Sequence, residues 1–181
     1  MNNMSKVLDF ASLMSYYVLT GDKRFINLAT KVRLVATNET LKEQFSEIKE
    51  WAGSKGFAVV LETDADDRVE WADKTIYINS RNRIETRYYT LLHECGHILI
   101  SQAWQDFDRD HPLYACSSDG RNARSKAYRV STVAEELEAW KRGRRLARRF
   151  NHYVDDAKYD EHITKNVMSY IEWAAGVGDN G

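Results

Sequence analysis

The chain has few of the residues that interrupt or staple a fold. One proline and nine glycines in 181 residues leave no room for long linkers, collagen-like repeats or low-complexity tracts. Its two cysteines, Cys95 and Cys116, make neither a disulfide framework nor a cysteine-rich zinc module. They read as reduced thiols in a cytoplasmic protein. No long hydrophobic run is present. The best one near the N-terminus, Val7 to Leu19, is broken by Asp9 and several polar residues and lacks a small-residue cleavage site, so neither a membrane span nor a signal peptide is expected. Charge of one sign is also missing: 26 basic against 27 acidic residues give a formal net charge of −1. That excludes nucleic-acid binding through bulk charge, though not through a local basic patch. What is there, 43% hydrophobic and 29% charged, suits one folded domain with a sizeable core.

Periodicity divides the chain into helices at both ends and a short stretch of strands between them. Apolar residues at Val7, Leu8, Ala11, Met14, Tyr17 and Val18 keep helical spacing until Gly21. A second helix is expected from Lys23 to about Ala36, a break and cap at Thr37 and Asn38, and a third helix over Thr40–Trp51, stopped by Gly53 and Gly56. The period then becomes that of a sheet. Phe57–Thr63 reads as a strand, and Arg68–Ala72 with Lys74–Asn79 as a hairpin around Asp73. Helical spacing returns from Ile84 to Trp104, and residues 105–130 read as a long polar loop. Helices over Ser131–Phe150 and Tyr159–Ala175 complete a mainly helical α+β chain with one short three-stranded sheet.

One segment carries chemistry: His93-Glu94-Cys95-Gly96-His97. Residues four apart share a helix face, so His93 and His97 can turn two imidazoles on one metal ion, and neutral imidazole suits zinc. Glu94 is rotated by roughly 100° from His93, beside the metal rather than on it, where it can take a proton from water. Five histidines and thirteen glutamates would produce this pattern by chance in about one chain in a hundred. It also falls inside a strongly apolar helix, where such side chains are costly to bury without partners. Cys95 projects to the other side and reads as core.

A catalytic metal needs a third protein ligand and an open position. Three carboxylates stand on the next helix, Glu135, Glu136 and Glu138. Val133, Trp140, Gly143, Ala147 and Phe150 form an apolar stripe, and Glu136 is the charge that falls inside it. Glu135 and Glu138 lie on flanks leading round to Arg142, Arg145 and Arg149 and read as solvated, although either remains an alternative ligand. Gly143, two turns beyond Glu136, would let the two helices approach closely.

The run Thr75–Asn79, the segment Thr90-Leu91-Leu92-His93-Glu94-Cys95-Gly96-His97 and the motif Glu136-Leu137-Glu138-Ala139 together resemble the ImmA/IrrE-type minimal gluzincin metallopeptidases over roughly residues 38–150. The resemblance implies a zincin-like core in which the H-E-x-x-H helix packs on the downstream Glu-bearing helix. It also implies one Zn²⁺ on His93, His97 and Glu136, Glu94 as general base, and a peptide or protein substrate. Residues 1–36 would then be a helical extension, 37–175 the metallopeptidase domain and 176–181 a flexible tail. Trp140 stands where that family has a small polar residue, and the loop between the metal helices is longer than usual. No helix-turn-helix pattern is visible, so the family's cleavage of a repressor is not carried over.

An oxyanion donor is sought in or near the long loop, at His111, Tyr114 or Tyr128. If Thr75–Asn79 is an edge strand, a peptide could add to it beside the metal. The basic run Lys141–Arg149 supports a second reading, a catalytically silent zincin scaffold that contacts nucleic acid or an acidic protein, but the downstream Asp155, Asp156, Asp160 and Glu161 would partly neutralise it. His152 and His162 read as surface residues.

Overall fold

The computed structural model describes residues 10–64, 66–111 and 125–176. It divides into two compact units, Met1–Glu43 and Gln44–Gly181. In the first, Gly21 takes a left-handed conformation between α1 (Phe10–Thr20) and the start of α2 (Lys23–Ser54). The expected break at Thr37 and Asn38 does not occur, because α2 runs through both. With no Gly or Pro before Gly53, two residues of merely modest helix propensity cost less than interrupting the hydrogen-bond ladder.

The second unit takes the last turns of α2 and then the sheet. Strands β1 (Ala58–Glu62), β2 (Arg68–Glu70) and β3 (Thr75–Asn79) lie in the order β1-β3-β2. The hairpin forms: β2 pairs antiparallel with β3, Val69 opposite Ile76. β1 pairs parallel with the other side of β3, Val59 opposite Ile76 and Leu61 opposite Ile78. Thr75–Asn79 is therefore the central strand and not an edge. Its alternating Ile76 and Ile78 are wholly buried, as a strand hydrogen-bonded on both sides and covered on one face requires.

Helix α3 (Ile84–Gln102) packs on β3 and is the centre of the unit. Every residue from Tyr88 to Gly96 is buried, the state expected of a helix with neighbours on all sides. The stretch read as a loop is partly helical: α4 (Trp104–Asp110) follows Ala103, and α5 (Lys126–Arg149) starts before Ser131. Phe107 is buried and anchors α4. Ser125 caps α5 by accepting a hydrogen bond from the Tyr128 amide at 3.1 Å. The rest of the expected loop lies outside the described residues, as do Cys116 and the tail after Gly176. Helix α6 (Asp156–Ala175) begins at the cap Asp155 and ends at Gly176 in a left-handed conformation.

Two glycines set the distance between α3 and α5. A Cβ on Gly96 would lie 2.0 Å from the carbonyl oxygen of Ala139, and one on Gly143 would lie 2.3 Å from that of Leu92. The helices thus run antiparallel with their backbones in contact at two points. Gly143 serves as its sequence position suggested, and Gly96, between the histidines, is its counterpart on α3. Cys95 is wholly buried in the core. Among the described residues, no helix is long and apolar enough to cross a membrane.

Candidate metal centre

The close approach of α3 and α5 brings two histidines and a carboxylate to one point. His93 and His97, one turn apart on α3, face each other with their Nε2 atoms 3.2 Å apart. Glu136 comes from α5, with Oε2 3.2 Å from His93 Nε2 and Oε1 3.8 Å from His97 Nε2. His93 and Glu136 are buried; His97 is nearly so. Ligand atoms held tetrahedrally at about 2.0–2.1 Å from a zinc ion are separated by roughly 3.3 Å, so the spacing here suits one metal ion. The donor set also suits one: two imidazole nitrogens and a carboxylate are ligands that a divalent transition metal takes. Of the three carboxylates on α5, Glu136 is the one grouped with both histidines at a spacing that could hold a metal ion, while Glu138 turns to Arg142 and Arg145 at 2.9 and 2.7 Å.

Glu135 is not solvated. Its Oε1 accepts a hydrogen bond from His97 Nδ1 at 2.8 Å, and both side chains are largely buried. Because the carboxylate can only accept, it fixes the proton on Nδ1 and leaves Nε2 facing the centre. Burial opposes charge on His97, but the Glu135 hydrogen bond and the nearby carboxylates of Glu94, Glu135 and Glu136 outweigh it and push its pKa up to about 9.

Trp140 packs against the other imidazole. Its ring stacks on His93 with centroids 4.2 Å apart and planes 18° from parallel. His162 packs edge-on against the same indole at 5.4 Å, so it is half-buried support rather than surface. His152 is buried as well: Nδ1 lies 2.9 Å from the Tyr88 hydroxyl and Nε2 2.9 Å from Glu47. The helical pattern gave no hint of these two, since each lies where a polar ring meets aromatic neighbours from distant parts of the chain.

The centre opens on a cleft of about 480 Å³ between β2, α3, α5 and α6. Glu94 lines it, beside the two histidines and outside the ligand set. Burial raises its carboxyl pKa; the two histidines lower it and Glu136 and Asp67 raise it further. Two more cleft residues escaped sequence reasoning. Asp67 sits just before β2, its Oδ1 accepting from the Asn79 amide at 2.6 Å, and burial raises its carboxyl pKa. Tyr170 comes from α6, one turn beyond the buried Val167, and lines the cleft together with Glu136. Burial, reinforced by Glu136, Glu94 and Glu135, holds this phenol above its usual range. It is half-buried, and nothing in the helical spacing of α6 marks it as a residue that lines a cleft.

The donors sought in the long loop are not brought to the cleft. His111 stands against the Phe107 ring at 4.5 Å, and Tyr128 is not among the cleft residues. Tyr114 lies outside the described residues. The arginines of Lys141–Arg149 are heavily paired within the chain. Arg144 meets Asp160 and, at 3.6 Å, Asp156; Arg148 reaches Asp156 at 3.8 Å; and Arg142 donates to the carbonyl of Leu99 at 2.6 Å. No family model, curated protein or solved structure matches this chain.

Proposed function

We propose that this protein is a zinc-dependent metallopeptidase of the ImmA/IrrE gluzincin type, with the sheet, α3 and α5 as its zincin-like core. The observation that carries the reading is the convergence of His93 Nε2, His97 Nε2 and Glu136 at one point of a cleft that also holds Glu94. His93, His97 and Glu136 would hold the ion, with the Glu135 carboxylate and the Trp140 ring fixing the two imidazoles from behind. The chemistry such an ion supplies when bound is Lewis acidity toward a carbonyl oxygen and a lowered pKa for water.

The remaining work falls to side chains. Glu94 accepts a proton from the attacking water as the new C–O bond forms at the carbonyl carbon. It returns that proton to the amide nitrogen as the C–N bond breaks, releasing a carboxylate and an amine. A carboxyl group raised by burial is suited to both transfers. The substrate would lie extended along β2, which borders the cleft through Arg68 and Val69 and pairs with β3 on one side alone among the described strands. Main-chain hydrogen bonds to that free edge would orient a peptide of any sequence.

The test combines metal analysis with one substitution. Purified protein should contain about one zinc per chain and cleave denatured casein. Glu94→Gln should keep the metal and lose at least about a hundredfold in rate. A wild-type protein that binds no divalent metal, or a Glu94→Gln variant that loses it, would overturn the assignment.

A further inference from the structure

α5 and α6 enclose a second groove, of about 460 Å³, whose apolar wall is Leu137 and Ile163 and over which Lys141, Arg144, Arg145 and Arg148 stand. Trp140 is common to this groove and the metal cleft, but the four cations belong to the groove and not to the cleft. Along α5, Leu137, Lys141, Arg145 and Arg148 are spaced 4, 4 and 3, so each stands one turn beyond the last on the same face. Arg144 is committed within the chain. It pairs with Asp160 and, at 3.6 Å, with Asp156, and it lies over the Tyr159 ring at 4.7 Å. The three cations of the row are short of counter-charge. Arg145 holds Glu138 Oε1 at 2.7 Å, but Arg142 holds the same oxygen at 2.9 Å. Arg148 reaches Asp156 Oδ1 only at 3.8 Å, an oxygen that Arg144 also approaches. Lys141 pairs with no carboxylate among the described residues, since Glu138, Asp156 and Asp160 are taken by the arginines. The Arg145 and Arg148 side chains are 57% and 65% exposed, and ion pairs in such surroundings hold their partners weakly.

We propose that this groove docks an acidic helical segment of a partner protein, with carboxylates on Lys141, Arg145 and Arg148 and an apolar side chain against Leu137 and Ile163. A second helix matches such a row because it brings side chains at the same spacing to one face, three acidic and one apolar. The charges steer the encounter and fix the register, and removal of water from the apolar end adds to their attraction. Nucleic acid is the poorer fit, because a phosphate backbone sets nothing against Ile163 and the partly exposed Leu137 at one end of the row. None of the three cations is a candidate metal ligand, so the docking site stands whether or not the cleft hydrolyses peptides.

The experiment measures fluorescence anisotropy of labelled, alanine-rich peptides of about 18 residues with the full-length protein. Each peptide carries a leucine and then three glutamates at successive turns of one face, and the pattern is made in both chain directions. Wild type should bind at least one of them saturably, about tenfold or more tighter than the same peptide with glutamine for glutamate, and added salt should weaken the binding. Lys141→Glu and Arg148→Glu should each weaken it by about tenfold or more, with thermal melting unchanged because Lys141 has no ion pair to lose and Arg148 only a long one. Arg149→Glu changes the net charge equally, but Arg149 lines a separate cavity with Leu99 and Gln102 and not this groove; binding should stay within about twofold of wild type. No saturable binding of either peptide, or equal weakening by Lys141→Glu and Arg149→Glu, would overturn the proposal. Tighter binding of a labelled oligothymidylate, abolished by Lys141→Glu, would overturn it too and make the groove a nucleic-acid site.

Discussion

His97 Nδ1 and Glu135 Oε1 are 2.8 Å apart in a largely buried pair, and the hydrogen bond between them decides which ring nitrogen of His97 is presented to the centre. Carboxylates in this position raise the basicity of a metal-binding imidazole and fix its ring. Glu135→Gln keeps the shape of the contact and removes its charge. Zinc affinity measured by chelator competition at pH 9 should fall by about 10–100-fold, and Glu135→Ala should fall further. Equal affinities at that pH would mean that the ring is held by its packing alone.

Protonation sets a window for the same site. With His97 raised to about 9 in the metal-free protein and an ordinary histidine near 6.5, the sign is that of a base gaining partners on folding. Its contribution to stability is complete below pH 6.5 and is lost as pH rises through 9. The metal requires the neutral ring, so binding displaces a proton across this range, and zinc affinity should climb about tenfold per pH unit before levelling near pH 9. Glu135→Gln loses the negative charge that helps to raise His97, so its proton competes less. The gap between variant and wild type should then be widest at pH 9 and narrow at pH 7. A gap that is constant with pH would show that His97 does not hold the proton.

The apolar stripe on α5 revealed Glu136 because a charge at a core position has few explanations, and Gly143 was legible for the same reason, as a missing side chain on a packed face. Glu135 was misread by the same argument. A helical wheel places it on a flank, and only the reach of His97 from a second helix turns that flank inward. Tyr170 escaped for the opposite reason, since an aromatic residue fits an apolar pattern whether or not it lines a cleft. The hairpin was local and could be read. The central position of β3 was not, because its parallel partner β1 is joined to it by the whole of β2 and its turns. α2 is continuous for a related reason: Thr37 and Asn38 resemble a cap in isolation, yet helix on both sides overrides them.

Gly96 and Gly143 make a strong claim about packing. A methyl group at Gly96 would meet the backbone of Ala139, with the carbonyl carbon at 2.6 Å, and backbone cannot swing aside as a side chain can. Gly96→Ala should cost at least the roughly 1–3 kcal/mol typical of an overpacked core, and Gly143→Ala should behave alike. Both should also lose zinc, because the histidines and Glu136 sit on the two helices being forced apart. Gly53, where a methyl group would meet nothing within 4 Å, provides the control: Gly53→Ala in α2 should leave metal content unchanged. Thermal melting and metal analysis on the three variants would sink the close-contact account if Gly96→Ala melted with Gly53→Ala.

His152 ties three segments that are far apart in sequence, bonding Tyr88 of α3 through Nδ1 and Glu47 of α2 through Nε2, with its side chain only 5% exposed. The Glu47 carboxylate can only accept, so His152 donates to it from Nε2 and is left to accept from the Tyr88 hydroxyl at Nδ1. His152→Ala removes that acceptor and leaves the hydroxyl of the wholly buried Tyr88 without a partner, a cost of about 1–3 kcal/mol before any cavity is counted. Tyr88→Phe removes the hydroxyl itself and should cost less than His152→Ala. Urea denaturation should place the two variants in that order, and in the double variant the combined loss should be smaller than the sum, since the orphaned hydroxyl is gone. Additive losses would mean that His152 stabilises the fold through its packing against Tyr88 and Phe150 rather than through the hydrogen bond.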